Sequence, residues 1–236
     1  MRVRRSGPLS TGREVDRLMA FSDGVVAVAI TLMVLPLINI QGPVAGAPLY
    51  TVVTKNLGQL VIFLFTFYVV AVMWRVHSRI FSQIRGYDNP LFWLNVTWLA
   101  AIVLLPWFSS LYGDTFAKSG SFTDFNISAT PDIALFYWVL MASVSALGTL
   151  MARHLSRNPR LLLPGAEAAI VTGPARYRGW IIAGYFLFIG VMSLFSTNIA
   201  SYLPIGIFVL SVFVKPKQTP VEVQLSAVAD SNGETT

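Results

Sequence analysis

Long apolar runs separated by short polar or Pro/Gly-containing breaks fill most of the chain, and their lengths predict its architecture. A hydrocarbon core about 30 Å thick takes roughly 20 residues of apolar helix. Six runs approach that length, at residues 17–37, 57–81, 91–112, 132–153, 177–195 and 199–214. The last is short and carries Pro204, so it suits a thin bilayer or a place against the bundle. The runs are expected as helices, because an unpaired backbone group in lipid costs several kcal/mol and barrel strands would alternate polar with apolar positions. Residues 38–56, 113–131 and 156–175 read as loops, the last through Pro159, Pro164 and Pro174. After Lys215 the residues turn to Gln, Ser, Asp, Glu and Thr without an apolar period, which predicts a disordered tail. The expected fold is therefore all-α and polytopic. A basic segment over 1–16 precedes a single six-helix unit over 17–214, without internal repeat, and a tail over 215–236. The first run is too long for a signal-peptide core and lacks a small-residue cleavage site, so it is expected to be retained.

Composition sharpens this picture. Of 236 residues, 55% are hydrophobic and only 12% charged, against about 25% charged in soluble domains, which argues against a soluble catalytic domain. The absence of cysteine removes disulfides, thiolate metal sites and cysteine nucleophiles. A net charge of +6 raises nucleic acid as a partner, but the basic residues lie at helix ends, where they report orientation instead. All of the 17 Lys and Arg except Lys55 and Lys118 fall on one side of the predicted bundle. That side is expected to be cytoplasmic and to hold both termini, as an even number of spans requires. The lipid bilayer, and no nucleic acid, is the expected surrounding.

Ionisable groups inside spans cost about 2.5–3.5 kcal/mol on insertion scales and ask for partners. Asp23, beside Ser22, lies in the first helix; Trp74, Arg75, His77 and Arg79 lie near the end of the second; Asn95 lies in the third. Antiparallel neighbours bring Asp23 and His77 to similar depth, where they are able to pair. Such groups serve either as a polar cluster that fixes helix packing or as a proton relay, although two groups do not cross 30 Å. At 100° per residue, Gly24, Val28, Thr31 and Leu35 form one stripe of the first helix, with Asp23 about 140° and Val26 about 160° from Val28. The small and β-branched members of that stripe equally suit close helix packing. With His77 and His154 as the two histidines and no His-Glu-x-x-His spacing, no enzyme activity, catalytic residue, metal-ligand set or cofactor is expected.

Arg17-x-x-x-Phe21-Ser22-Asp23, followed by Gly24-Val-Val-Ala-Val28-Ala-Ile-Thr31-Leu-Met-Val-Leu35-Pro-Leu, closely resembles the first helix of the transmembrane protein 175 family, potassium channels of lysosomes and many bacteria. Trp74-x-x-His77-x-x-x-Phe81, Leu94-Asn95 and Leu105-Pro106 resemble its second and third helices. Later helices match in number and hydropathy alone. The resemblance implies a prokaryotic member with one six-helix repeat, assembled as a homotetramer in the plasma membrane, whose first helices line a central pore. It places Val28 at an apolar constriction, Thr31 one turn further as a pore hydroxyl, and Leu35 in another pore layer, with Gly24 on the same stripe. Arg17, Phe21, Ser22, Asp23, Trp74 and His77 match a buried network that holds this helix, which Asn95 is placed to join. Val28 is a methylene smaller than the Ile or Leu usual at the constriction, and no Thr-Val-Gly-Tyr-Gly filter is present. The implied function is a potassium-permeable, weakly selective leak channel, with potassium in transit as its one metal. The alternative is a proton channel or proton-coupled transporter using Asp23 and His77.

Overall fold

The structure, a computed structural model, describes residues 10–42, 48–117, 131–166 and 175–196, with the single positions 200, 203, 204 and 206. Apart from Gly206, these belong to the unit Met1–Pro204, and Ile205–Thr236 forms a second unit. A short strand β1 (Ser10–Thr11) leads into α1 (Arg13–Leu32), α2 (Leu35–Ile38), α3 (Leu49–Lys55) and α4 (Leu57–Phe81). Strand β2 (Gly86–Tyr87), α5 (Asn89–Ala117), α6 (Pro131–Arg157), a 3-10 turn (Pro159–Leu161) and α7 (Ala175–Phe195) follow. Five stretches are long and apolar enough to cross a membrane: Arg13–Ile38, Leu57–Phe81, Asn89–Gly113, Pro131–Arg157 and Tyr177–Phe195. They coincide with the first five predicted spans. The sixth, at 199–214, falls largely outside the described residues, as do the tail at 215–236 and residues 1–9.

The structure corrects four expectations. The first span is not one helix: α1 stops at Leu32, and Met33 and Val34 donate to Ile30 and Thr31, three residues back. Pro36 explains this, since it lacks an N–H and its ring would meet the carbonyl of Leu32. The loop at 38–56 contains α3, and α5 runs on to Ala117, beyond the predicted end at 112. The chain is also not purely helical. β1 pairs antiparallel with β2 through Ser10↔Tyr87 and Thr11↔Gly86, and Ile84 bridges Leu162. Arg85 N–H donates to the Leu161 carbonyl and Leu163 N–H to that of Gln83, both at 2.9 Å. These bonds satisfy the backbone of turns where helices end. Gly12, at φ 62°, makes the reversal from β1 into α1.

This strap gathers the start of α1, the end of α4, the start of α5 and the end of α6 at one end of the bundle. Arg13, Arg17, Arg75, Arg79, Arg85, Arg153, Arg157 and Arg160 lie there, whereas Lys55, the last residue of α3 and just ahead of α4, lies at the other. Arg178, near the start of α7, points toward the first group because α7 runs antiparallel to α6, with Gly179 against Ser145 and Thr149 and Gly190 against Trp138.

The core centres on the fully buried Trp138 of α6. Phe65 meets it edge-on at 5.8 Å, and Phe186 of α7 stacks at 5.8 Å. Its neighbour Tyr137 shares a 2.7 Å hydrogen bond with Thr66 of α4 and stacks on Tyr112 of α5. α6 and α7 approach through small residues, as helices in lipid do. A Cβ at Gly190 would lie 3.1 Å from Cβ of Trp138, and one at Gly179 would lie 1.9 Å from Oγ1 of Thr149. Gly179→Leu is therefore expected to force α6 and α7 apart and cost about 1–3 kcal/mol. Thermal unfolding in detergent measures this; an unchanged midpoint would contradict the close approach.

Candidate functional site

α1 sorts its residues onto two opposite faces. Val15, Leu18, Ser22, Val26 and Ala29 are buried, and Met33 continues the face beyond the helix end. The opposite face carries Gly24, Val28, Thr31 and Leu35, all exposed in the single chain. Val28 is 58% exposed and Val26, two residues away, 2%. That contrast follows from the ~160° between them. Leu35 keeps its exposed aspect although it stands beyond the break, in α2. The Thr31 hydroxyl donates to the Val28 carbonyl at 2.8 Å. Its hydrogen is thereby spent on the backbone, and the oxygen is left able to accept a hydrogen bond or face a cation.

A directed hydrogen-bond chain anchors the buried face. Ser22 donates to the Leu18 carbonyl at 2.8 Å and accepts from Nδ2 of Asn95 at 2.9 Å. Asn95 therefore turns its Oδ1 toward His77, whose Nε2 stands 2.7 Å away and must donate. The chain fixes the imidazole tautomer and joins α1, α5 and α4 in one run. Phe81 and Trp98 stack on the two sides of His77, each with its centroid at 4.3 Å. Ser22 and Asn95 are fully buried and His77 is 3% exposed.

Asp23 and His77, expected as able to pair, each take another partner. Asp23 Oδ1 accepts from the Trp74 indole N–H at 2.8 Å. One residue on from Ser22, Asp23 is turned about 100° toward the edge of α1, where Trp74 waits roughly a turn before His77. Of the residues grouped by resemblance, Ser22, His77 and Asn95 are buried within this chain. Arg17, Phe21, Asp23 and Trp74 are exposed, Phe21 by 60%.

Two contributors escaped the sequence reading. Trp98 walls His77, and the signal was its i+3 spacing from Asn95 on one helix face. Asp88 caps α5 by accepting from Leu91 N–H at 3.2 Å, and His154 Nε2 lies 2.9 and 3.1 Å from its two carboxylate oxygens. An aspartate just ahead of Asn89-Pro90 and an apolar run was the helix-start signal. Nothing in one sequence pointed from it to His154. Among the described residues no group of three His, Cys, Asp or Glu side chains is placed to hold a metal ion.

Comparison with known proteins now bears on this arrangement. The family model described as endosomal/lysosomal potassium channel TMEM175 matches residues 17–106, which hold most of α1, the directed chain and most of α5. A potassium channel of Streptomyces collinus is 27% identical over 157 residues, covering 66% of this chain and 71% of that protein. The endosomal/lysosomal proton channel TMEM175 of Mus musculus is 26% identical over 158 residues, covering 65% of this chain but only 28% of that longer protein. The crystal structure of a lysosomal potassium-selective channel TMEM175 homolog from Chamaesiphon minutus superposes with a TM-score of 0.64 at 23% identity. It covers 86% of this chain and 96% of that one, so the fold is shared nearly end to end. Over residues 17–106 the chain thus matches the TMEM175 family model, and over most of its length it shares the fold of a TMEM175 homolog.

Proposed function

We propose that the protein is a potassium-permeable, weakly selective cation channel in which four copies place α1 around a common axis. The observation that carries this reading is the two-faced α1: its inner face is tied to the bundle by the Ser22–Asn95–His77 chain, while Gly24, Val28, Thr31 and Leu35 stand uncovered opposite. Four Val28 side chains form the apolar neck, four Thr31 oxygens follow it, and Leu35 makes a further layer beyond the helix break. Potassium crosses without a cofactor. Selection at an apolar neck with hydroxyl oxygens, lacking rings of backbone carbonyls, gives only modest preference over sodium. The arginine-bearing end faces the cytoplasm. With a sixth span at 199–214, both termini lie there, in a plasma-membrane protein. The bacterial relatives named as potassium channels support the ion.

A second reading, proton passage by way of Asp23 and His77, draws support from the vertebrate relatives named as proton channels. Their geometry here weighs against it: Asp23 is engaged by Trp74, and His77 is closed in by Asn95, Phe81 and Trp98. A relay needs exchangeable groups across the full 30 Å.

Liposomes loaded with potassium and diluted into sodium buffer, with a pH-sensitive dye, separate the two readings. Potassium efflux is expected to draw protons inward only once a protonophore is added. Rapid proton entry without protonophore, independent of the potassium gradient, would overturn the potassium reading in favour of the second.

A further inference from the structure

The outer face of α6 continues unbroken from apolar residues into two arginines. Phe136, Val139, Ser143, Leu147, Leu150, Arg153 and Arg157 recur at three- and four-residue spacing and so fall on one side of the helix. Phe136, Val139, Arg153 and Arg157 are exposed and the three between are half-buried. The one polar member, Ser143, gives its hydrogen to the Val139 carbonyl at 2.8 Å, which suits it to a lipid surface. Neither guanidinium makes a hydrogen bond or ion pair with another described residue; the one ion pair among the described residues is His154–Asp88, around the helix from them. They are not needed to cap α6 either. Ser156 donates to the Arg153 carbonyl at 2.9 Å and Asn158 to that of His154 at 2.8 Å. The helix C-terminus contributes about half a negative charge, which two guanidiniums exceed.

We propose that Arg153 and Arg157 hold the phosphate of an anionic phospholipid whose acyl chain lies along α6. One helical turn separates the two, about 6 Å, so both guanidiniums reach a single phosphodiester and present paired N–H donors to its oxygens. Half a hydrocarbon core is about 15 Å, or ten residues of helix. That carries the chain from Arg153 back past Leu150 and Leu147 to Ser143. The charge selects an anionic headgroup over a zwitterionic one, and the apolar stripe selects a lipid over a free anion.

Native mass spectrometry of the full chain with phosphatidylglycerol or phosphatidylcholine of identical acyl chains tests this. Phosphatidylglycerol is expected to bind preferentially, and the double substitution Arg153→Gln/Arg157→Gln to weaken it on the order of tenfold while leaving phosphatidylcholine unchanged. Arg13→Gln/Arg85→Gln removes equal charge at the same end and is expected to retain the preference. Arg153→Lys/Arg157→Lys, which keeps the charge, is expected to retain part of it. Inorganic phosphate should not displace the lipid. Equal loss in the Arg13/Arg85 variant, no preference in either wild type or the lysine variant, or ready displacement by inorganic phosphate would each overturn the site.

Discussion

Val28→Asn is expected to raise single-channel conductance several-fold and to reduce discrimination against sodium. In the proposed tetramer, four amides in place of four isopropyl groups would hold water at the neck and remove much of the dewetting barrier that an apolar ring imposes on every ion. Val28→Leu adds a methylene per subunit and is expected to act in the opposite direction, lowering conductance. Val26→Leu supplies the contrast: Val26 is 2% exposed against the bundle, so added bulk overpacks the core, costing about 1–3 kcal/mol, while permeation in the surviving channels stays unchanged. Conductance and reversal potential in the same bilayers check all three. Equal, small effects at both positions would mean that another face or another helix lines the pore.

Asn95→Leu is expected to be among the most destabilising single changes in the chain. Asn95 is fully buried and bonds to both Ser22 and His77, so leucine strands the imidazole N–H between two aromatic rings with no water to replace its partner. A stranded buried donor costs about 1–3 kcal/mol, and loss of the α1–α5 link adds to it. Asp23→Ala should cost less. It removes the bond to Trp74, which is 38% exposed, and leaves the Val28 face untouched, so the surviving channels are expected to keep their permeability ratio. Thermal unfolding monitored by size-exclusion chromatography ranks the two variants. A larger loss for Asp23→Ala than for Asn95→Leu would show that Asp23 carries the anchoring.

The five described spans were legible because in lipid the length of an apolar run alone decides a helix. The two faces of α1 were legible from angular period, since Val26 and Val28 separate by burial as a 100° step requires. Legibility failed where tertiary contacts decide. Depth alone permitted an Asp23–His77 pair, but the angular step from Ser22 to Asp23 sends the acid to Trp74 and leaves Asn95 to His77. The break after Leu32 was written in Pro36, whose effect falls on the preceding turn and so was hidden within an apolar run. The β1–β2 strap joins residues 10–11 to 86–87, a pairing of two-residue strands that no local pattern announces.

The chain contains no cysteine, so a single introduced thiol reports accessibility without background. The most direct test of the pore assignment is the response of Val28→Cys, Thr31→Cys and Val26→Cys channels to a small cationic methanethiosulfonate reagent during current recording. If α1 lines the pore by its uncovered face, current through Val28→Cys and Thr31→Cys falls irreversibly within the exposure, and Val26→Cys is unaffected. Block at Val26→Cys with Val28→Cys and Thr31→Cys untouched would contradict the assignment.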